Sequence, residues 1–376
     1  MTRRRTSALL KVLGVSRTGA FLIFLLVTCA LAGPERTSVG AGDAFQQIVQ
    51  SLALGYSDEA IAYEVDNLEL TECLDDSSLK VIERQGAGPL ALRAIEALRK
   101  RAASRPLPGQ PPVILEPLLA ASDEQALLHK MAAYASNYLH SLPDFLCTET
   151  TRFLLSGKPP SDLGKKTKFK STAKWRLDQT ITEDVGYYGA AEHHHTRLVD
   201  NVPDARPIQK LRNNYSRGEF GEVLGSTFDH ASKAQFQWDH WENRGRHRVA
   251  VFSYAITREN SQYIVCCAST GAITVNGFRQ TQMKSWASAY RGLLYADPDT
   301  GSIERFTLRN TDIPAWVDMD SAGNWIDYTE VNLNGQTYRL PAKAVHHTQV
   351  RNYQTRDEIV FSDYRKFSAD STITFK

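Results

Sequence analysis

The chain has 376 residues, enough for about two domains. Charged residues make up 23% and hydrophobic residues 42%, which excludes a wholly disordered chain and a helical membrane bundle. The formal charge is +2, but residues 33–376 alone hold 39 basic against 42 acidic residues, so charge makes no case for nucleic acid as a partner.

The first 32 residues carry five basic residues and no acid. Arg3-Arg4-Arg5 opens a basic segment, and Ala20 to Ala32 is an apolar run that closes on small residues. Ala30-Leu31-Ala32 fits an A-x-A cleavage site, so residues 1–32 read as a signal peptide. The run of about 13 apolar residues is short for the roughly 20 that span a bilayer. The expected location is therefore periplasmic or secreted after cleavage. The alternatives are a retained N-terminal membrane anchor and lipidation at Cys29, for which Leu26-Val27-Thr28-Cys29 is a poor lipobox.

Residues 43–103 read as a small helical domain. Ala44, Phe45, Ile48, Val49 and Leu52 recur at helical spacing. Gly55-Tyr56-Ser57-Asp58 stops one helix and caps the next, with Ser57 at the N-cap. A further helix starts at Asp75 or Asp76 and breaks at Gly86-Ala87-Gly88, before Leu90, Leu92, Ile95 and Leu98. The unit of helix, glycine, polar link and helix thus occurs twice, too few copies for a solenoid. The G-x-S-D-x-x-I pattern resembles helical modules at the front of many exported bacterial proteins. That resemblance implies a contact surface for another envelope protein; a self-contained helical cap explains the same stripe.

Residues 104–121 form a proline-rich linker, extended and poorly helical. Ser122-Asp123-Glu124-Gln125 is a capping box. Leu127, Leu128, Met131, Tyr134, Ala135, Tyr138 and Leu139 then make one apolar stripe, which predicts a helix over about 123–140. Such a helix ahead of many strands must bury its stripe against the sheet.

Residues 122–376 form the β-rich domain. Strands are expected at 145–155, 167–182, 193–201, 234–242, 247–257, 262–268, 272–283, 290–296, 302–309, 325–333, 336–340, 343–352 and 357–366. Asn334-Gly335 and the segment Asp297-Pro298-Asp299-Thr300-Gly301 mark hairpin turns. Ser216-Arg217-Gly218-Glu219 reads as a capping box for a short helix over Phe220, Val223 and Leu224. Successive hairpins predict an antiparallel meander, and the fold class is α+β: a helical module, then a β half-barrel-like domain with an amphipathic helix packed on its sheet.

Four segments carry a resemblance: Leu142 to Cys147, Gly218-Glu219-Phe220-Gly221, Tyr290-x-Gly292 with Asp297-x-x-Thr300-Gly301, and Asp363 to Phe367. They resemble a group of uncharacterised exported bacterial proteins with a C-terminal β-rich domain, over about residues 122–376. The arrangement of one amphipathic helix ahead of a long meander is also similar to the lipoprotein-carrier half-barrels of the LolA/LppX-like kind. That similarity implies a concave sheet enclosing an acyl chain or a protein segment, with helices as the lid. No ligand residue of those proteins maps onto this chain.

Phe236, Trp238, Trp241 and Trp286 supply the apolar area for a ligand cavity, although such residues also fill cores. In an oxidising compartment a disulfide is expected. Cys147 opens the first strand and Cys266-Cys267 lie in a central one, so the candidates are Cys147–Cys266 and Cys147–Cys267. Neighbouring strand residues point to opposite faces, so one of the vicinal pair at most meets Cys147. His193-His194-His195 follows Glu192. His193 and His195 share a face, and a metal there would need His346 or His347 as well; a solvated strand face is the expectation. Asp318-x-Asp320-x-x-Gly323 lacks the further acids of a calcium loop. The alternating lysines between Lys158 and Arg176 suit either anionic head groups or a protected sheet edge. No catalytic motif, metal site or cofactor signature is present.

These observations indicate an exported, non-enzymatic protein that binds a lipid, an acylated protein or a partner segment on its sheet. An envelope scaffold with a packed sheet interior is the alternative, and a hydrolase comes last. A filled interior would favour the scaffold, an open apolar cavity the carrier, and a polar cleft with histidines and acids an enzyme.

Overall fold

A computed structural model of the protein describes residues 36–116, 121–157, 174–189, 191–212, 215, 217–245, 247–275, 278–317 and 319–367, with backbone alone at Ala121, Leu139 and residues 264–284. The helical module comprises β1 (Thr37–Val39), α1 (Ala41–Ala53), α2 (Asp58–Asp66), β2 (Leu68–Leu70), α3 (Asp76–Arg84) and α4 (Pro89–Arg101). Local chemistry sets its boundaries. The Ser57 hydroxyl accepts the amide of Ala60 at 3.3 Å, and the Asp75 carboxylate accepts that of Ser78 at 2.6 Å, each satisfying one orphan donor of a helix start. Asp58 reaches across to accept the Leu90 and Ala91 amides at the start of α4, which ties the two copies of the repeated unit together.

The rest of the chain holds β3 (Val113–Ile114), α5 (Ala121–Ser141), β4 (Phe145–Ser156), β5 (Arg176–Tyr188), β6 (Ala191–Val199), β7 (Val202–Pro203), α6 (Ile208–Leu211) and α7 (Glu222–Phe228). Then come β8 (Gln235–Arg244), β9 (His247–Ile256), β10 (Ile264–Val275), β11 (Phe278–Ala287), β12 (Tyr290–Ala296), β13 (Ile303–Asn310), β14 (Ser321–Leu333), β15 (Gln336–Val350) and β16 (Tyr353–Lys366). Twelve strands form one sheet in the order β3-β8-β9-β12-β13-β14-β15-β16-β4-β5-β6-β7. Its pairings are antiparallel and its edges are β3 and β7, so among the described residues it does not close into a barrel. The protein is an α+β half-barrel.

Both faces of the middle of this sheet are covered. On one face Val249, Val251, Leu293, Tyr295 and Trp325 share a buried cluster with the apolar stripes of α1 to α4. On the other, Phe252, Tyr254, Leu294, Phe306 and Ile326 pack against Leu127, Met131, Ala135 and Tyr138 of α5 and Leu224 of α7. Strand alternation sends neighbours to opposite faces, so a strand covered twice is apolar at successive positions. Val249-Ala250-Val251-Phe252 is buried throughout for this reason. The module contacts the sheet closely: Arg309 donates to the Leu52 carbonyl at 3.3 Å. Gly323 leaves room for the end of α1, because a Cβ there would lie 2.7 Å from the Ala53 oxygen and the Leu54 Cα.

Several expectations from sequence change. The proline-rich stretch is extended, yet its Val113–Ile114 pairs with β8 and its Pro111 and Pro112 carbonyls accept from Asn243, so part of it is a sheet edge. Residues 336–340 and 343–352 belong to one strand, β15. Pro341 sits opposite Tyr328 beside a register shift, where its missing N–H is tolerated. Cys266 and Cys267 are not in a central strand: β10 pairs with β11 as a separate two-stranded sheet. The short helix starts later than expected, since α7 begins at Glu222 with Gly221 before it. Most of the lysine-rich segment, residues 158–173, lies outside the described residues, as do Ser216 and Asp318.

Candidate functional site

Acids stand where the inward register of three strands should be apolar. On β4 the inward positions run Phe145, Cys147, Glu149, Thr151 and Phe153; Glu149 and Thr151 are buried like their apolar neighbours. On β5 Glu183 lies between Ile181 and Val185, all buried. On β6 Glu192, His194 and Thr196 point the same way. Glu149 and Glu183 are direct partners across the β4–β5 ladder. Two like charges opposite each other destabilise a sheet, and burial magnifies the cost.

The segment between α6 and α7 relieves this repulsion. Arg217 inserts its guanidinium between the two acids, with Nη2 2.7 Å from Glu183 Oε2 and Nη1 3.4 Å from Glu149 Oε1. Glu219, two residues on, reaches β15, where its Oε1 is 2.8 Å from His346 Nε2. Gly221 takes φ of 106°, a left-handed conformation that costs glycine little and lets the chain turn directly into α7. Asp357 on β16 is the register partner of His346 and is also buried. The result is a charged cluster under the sheet face that carries α5 and α7.

Burial dominates its electrostatics. It pushes the Glu149 carboxyl up to about 7, against the lowering effect of Arg217. It pushes Asp357 up to about 7 as well, against His346 and Arg212. Glu219 goes the other way. Burial alone would raise it, but the hydrogen bond and charge of His346 outweigh that and hold it at about 2. The three shifts show what desolvation does with and without a close partner.

His194 sits at the centre of the histidine run, and alternation turns it inward. Its Nε2 is 3.0 Å from Glu192 Oε2, while its Nδ1 is 3.6 Å from Glu149 Oε2 and 4.0 Å from Glu183 Oε2. His193 and His195 share the opposite face, where His193 stacks on Tyr188 with centroids 3.9 Å apart. His346 and His347 do not join them. His346 holds Glu219, and His347 faces the helical module, with Nδ1 2.9 Å from the Leu54 carbonyl oxygen. Among the described residues the donor set able to hold a metal is Glu149, Glu183 and His194, whose ligand atoms lie within 4.8 Å of one another.

A cleft of about 680 Å3 opens beside the cluster, between α5 and α7. Ala135 and His140 of α5, Val223 and Phe228 of α7, Tyr263 and Arg217 line it. Ser136, Glu222, Ser226, Asp229 and Gln262 line it too, so apolar and polar surface are mixed and Arg217 is offset by two acids. On the sheet face that carries α5 and α7 aromatic rings pack together: Phe145 stacks on Tyr187 at 5.4 Å, and Phe220 lies 5.3 Å from Phe145 and 5.2 Å from Phe361.

The aromatic residues singled out from the sequence are spread over two places. Phe236 stacks on Phe228 at 4.9 Å, and Trp238 meets Trp241 and Phe252 edge-on. Trp241 is buried under the Arg248 guanidinium, 3.9 Å from its ring centre. Trp286 is buried on β11 against Trp316. Phe236 and Trp238 also border a second cleft of about 550 Å3, which Arg84, Asp239, Arg291 and Arg309 make polar. Cys147 keeps a free thiol, and burial raises its pKa. Cys266 and Cys267 stand on β10, where side chains lie outside the described residues. Glu149, Glu183, Arg217, Glu219 and Asp357 were not anticipated. A signal existed for two of them, in the acid that interrupts each apolar alternation at 145–153 and 181–187.

No protein family and no curated protein matches the chain. Among solved structures it is similar to a LolA superfamily protein from Nitrosomonas europaea, with 11% identity and a TM-score of 0.27, over 67% of this chain and 97% of that one. It is also similar to an outer membrane lipoprotein-sorting protein domain from Vibrio parahaemolyticus, with 12% identity and a TM-score of 0.28, over 66% of this chain and 95% of that one. A DUF1329 family protein from Desulfovibrio piger gives 8% identity and a TM-score of 0.26, over 66% of this chain and 94% of that one. Among the described residues no helix is long and apolar enough to cross a membrane.

Proposed function

We propose that the protein is a non-enzymatic binding protein of the bacterial cell envelope that takes up an acyl chain or an apolar segment of an acylated partner in the cleft between α5 and α7. The observation that carries this reading is the cleft of about 680 Å3 in which Ala135, Val223, Phe228 and Tyr263 offer apolar surface among polar residues that include Arg217. Its volume falls within the usual range for small-molecule sites, about 300–1,000 Å3. An amphiphile would place its chain against Val223, Phe228 and Tyr263, gaining about 25 cal/mol per Å2 of apolar surface removed from water. The basic and apolar character of residues 1–32 supports an envelope location.

Native mass spectrometry with lipid extraction, on protein purified from a bacterial envelope fraction, tests the reading. The expected result is a stoichiometric lipid adduct that disappears on denaturation and is lost in Val223→Trp, which fills the cleft. A bare polypeptide mass at several gentle ionisation settings would overturn it. The second reading, an interaction scaffold, draws support from the aromatic packing of Phe145, Tyr187, Phe220 and Phe361, which leaves that part of the sheet face filled. A bare mass together with co-purification of a defined envelope protein would favour it.

A further inference from the structure

We propose that Glu149, Glu183 and His194 form a binding site for a divalent transition-metal ion of the zinc type. It is independent of the lipid-binding reading. Three lines of geometry lead to it.

The first is convergence. His194 Nδ1 lies 3.6 Å from Glu149 Oε2 and 4.0 Å from Glu183 Oε2. Tetrahedral zinc with bonds of about 2.0–2.2 Å spaces its ligand atoms about 3.4 Å apart; the two histidine edges exceed this by a few tenths of an ångström, and all three ligand atoms lie within 4.8 Å of one another. An imidazole beside two carboxylates selects a transition metal over calcium or magnesium, which take oxygen donors alone.

The second is the outer shell. The far atom of each ligand is already held. Thr151 Oγ1 donates to Glu149 Oε1 at 3.1 Å, Thr196 Oγ1 donates to Glu183 Oε1 at 3.2 Å, and His194 Nε2 meets Glu192 Oε2 at 3.0 Å. With Nε2 donating to Glu192, Nδ1 presents its lone pair to the cluster. A carboxylate behind the histidine and hydroxyls behind the acids are the partners that orient metal ligands.

The third is what is left unpaired. Glu149 Oε2 and His194 Nδ1 are buried without a hydrogen-bond partner, and they face each other. The Glu149 side chain is only 3% exposed. Buried polar atoms are nearly always satisfied, and one cation between these two would satisfy both. Charge agrees. Counted as ionised, Glu149 and Glu183 beside Arg217 and Glu192 beside His194 carry three negative charges against that one guanidinium, and a divalent ion neutralises the remainder. Arg217 grips Glu149 through the other oxygen, Oε1, which leaves Oε2 to the ion, and it holds Glu183 through Oε2 at 2.7 Å, so the guanidinium and the ion share that oxygen.

The test uses the full chain without an affinity tag, stripped with chelator and titrated calorimetrically with Zn2+, with Mg2+ as comparator. One equivalent of Zn2+ is expected, with no Mg2+ binding. His194→Ala should abolish it, and Glu192→Gln should weaken it about 10- to 100-fold, the usual effect of losing an outer-shell partner. His195→Ala, on the opposite face, should leave it unchanged. Equal binding by the His194 and His195 variants, or no stoichiometric uptake by the wild type, overturns the proposal. If His194→Ala does not fold, Co2+ absorption of the wild-type chain decides. An intense tetrahedral visible band lost in Glu149→Gln supports the site, and a weak octahedral spectrum overturns it.

Discussion

Glu219→Gln is the substitution that most directly tests how the segment before α7 is held to the sheet. The Glu219 carboxylate is 2% exposed and its Oε1 lies 2.8 Å from His346 Nε2. Its folded-state pKa of about 2 is depressed from the ordinary 4.5, because His346 outweighs the effect of burial. A depressed carboxyl stabilises the fold fully above its unfolded pKa, and the contribution is lost as pH falls through the folded value. About two and a half units at roughly 1.4 kcal/mol each set the charge at about 3 kcal/mol near neutral pH. Glutamine keeps the shape and removes the charge. Urea unfolding followed by tryptophan fluorescence should therefore show Glu219→Gln about 3 kcal/mol less stable at pH 7, within the range for breaking a buried pair. At pH 3 the gap should shrink to roughly half or less, because part of the wild-type advantage has been titrated away. A double-mutant cycle with His346→Gln should assign about 2 kcal/mol or more of the loss to the pair. A gap below about 1 kcal/mol at pH 7, or one that does not change with pH, would refute the reasoning.

Three further outcomes follow from the same structure. Asp357 is held protonated to about pH 7 by burial, so the native state keeps a proton that the unfolded chain has released between about pH 4 and 7, and stability falls across that window. Asp357→Asn should thus be more stable than wild type at pH 8, by at most about 4 kcal/mol, with no difference at pH 4; thermal melts at the two pH values check it, and destabilisation at pH 8 would count against it. Gly323→Ala should cost about 1–3 kcal/mol by overpacking, since the new Cβ meets backbone of Ala53 and Leu54 at 2.7 Å, and hydrogen exchange should rise at the end of α1 rather than in α5. Gly301 has φ of 73° and a Cβ there would lie 2.6 Å from Lys130 of α5; on the proposed lipid-binding reading Gly301→Ala should loosen α5 and speed lipid exchange in a fluorescent acyl-chain release assay, whereas unchanged release would separate α5 from the proposed binding step.

Much of the architecture could be read from the chain without coordinates, because it rests on local chemistry. Ser57 and Asp75 cap helices with their own side chains, and Asn334-Gly335 and Asp297 to Gly301 close hairpins by preferred backbone angles. The stripe from Leu127 to Tyr138 has a helical period and so needs an apolar face to lie on. Tertiary structure decided the rest. Whether Val249 and Val251 face solvent or a helical module depends on what covers the second sheet face, and alternation alone does not say. Which histidine of the run turns inward depends on register, and a one-residue slip exchanges His194 for its neighbours. The charged cluster is wholly of this kind. Glu149, Glu183 and His194 come from three strands, Arg217 and Glu219 from a segment whose sequence reads as a helix cap, and His346 and Asp357 from the far end of the chain. Each residue is unremarkable in its own segment, and only a shared, water-poor space turns these residues into a network in which burial shifts protons and charges require partners.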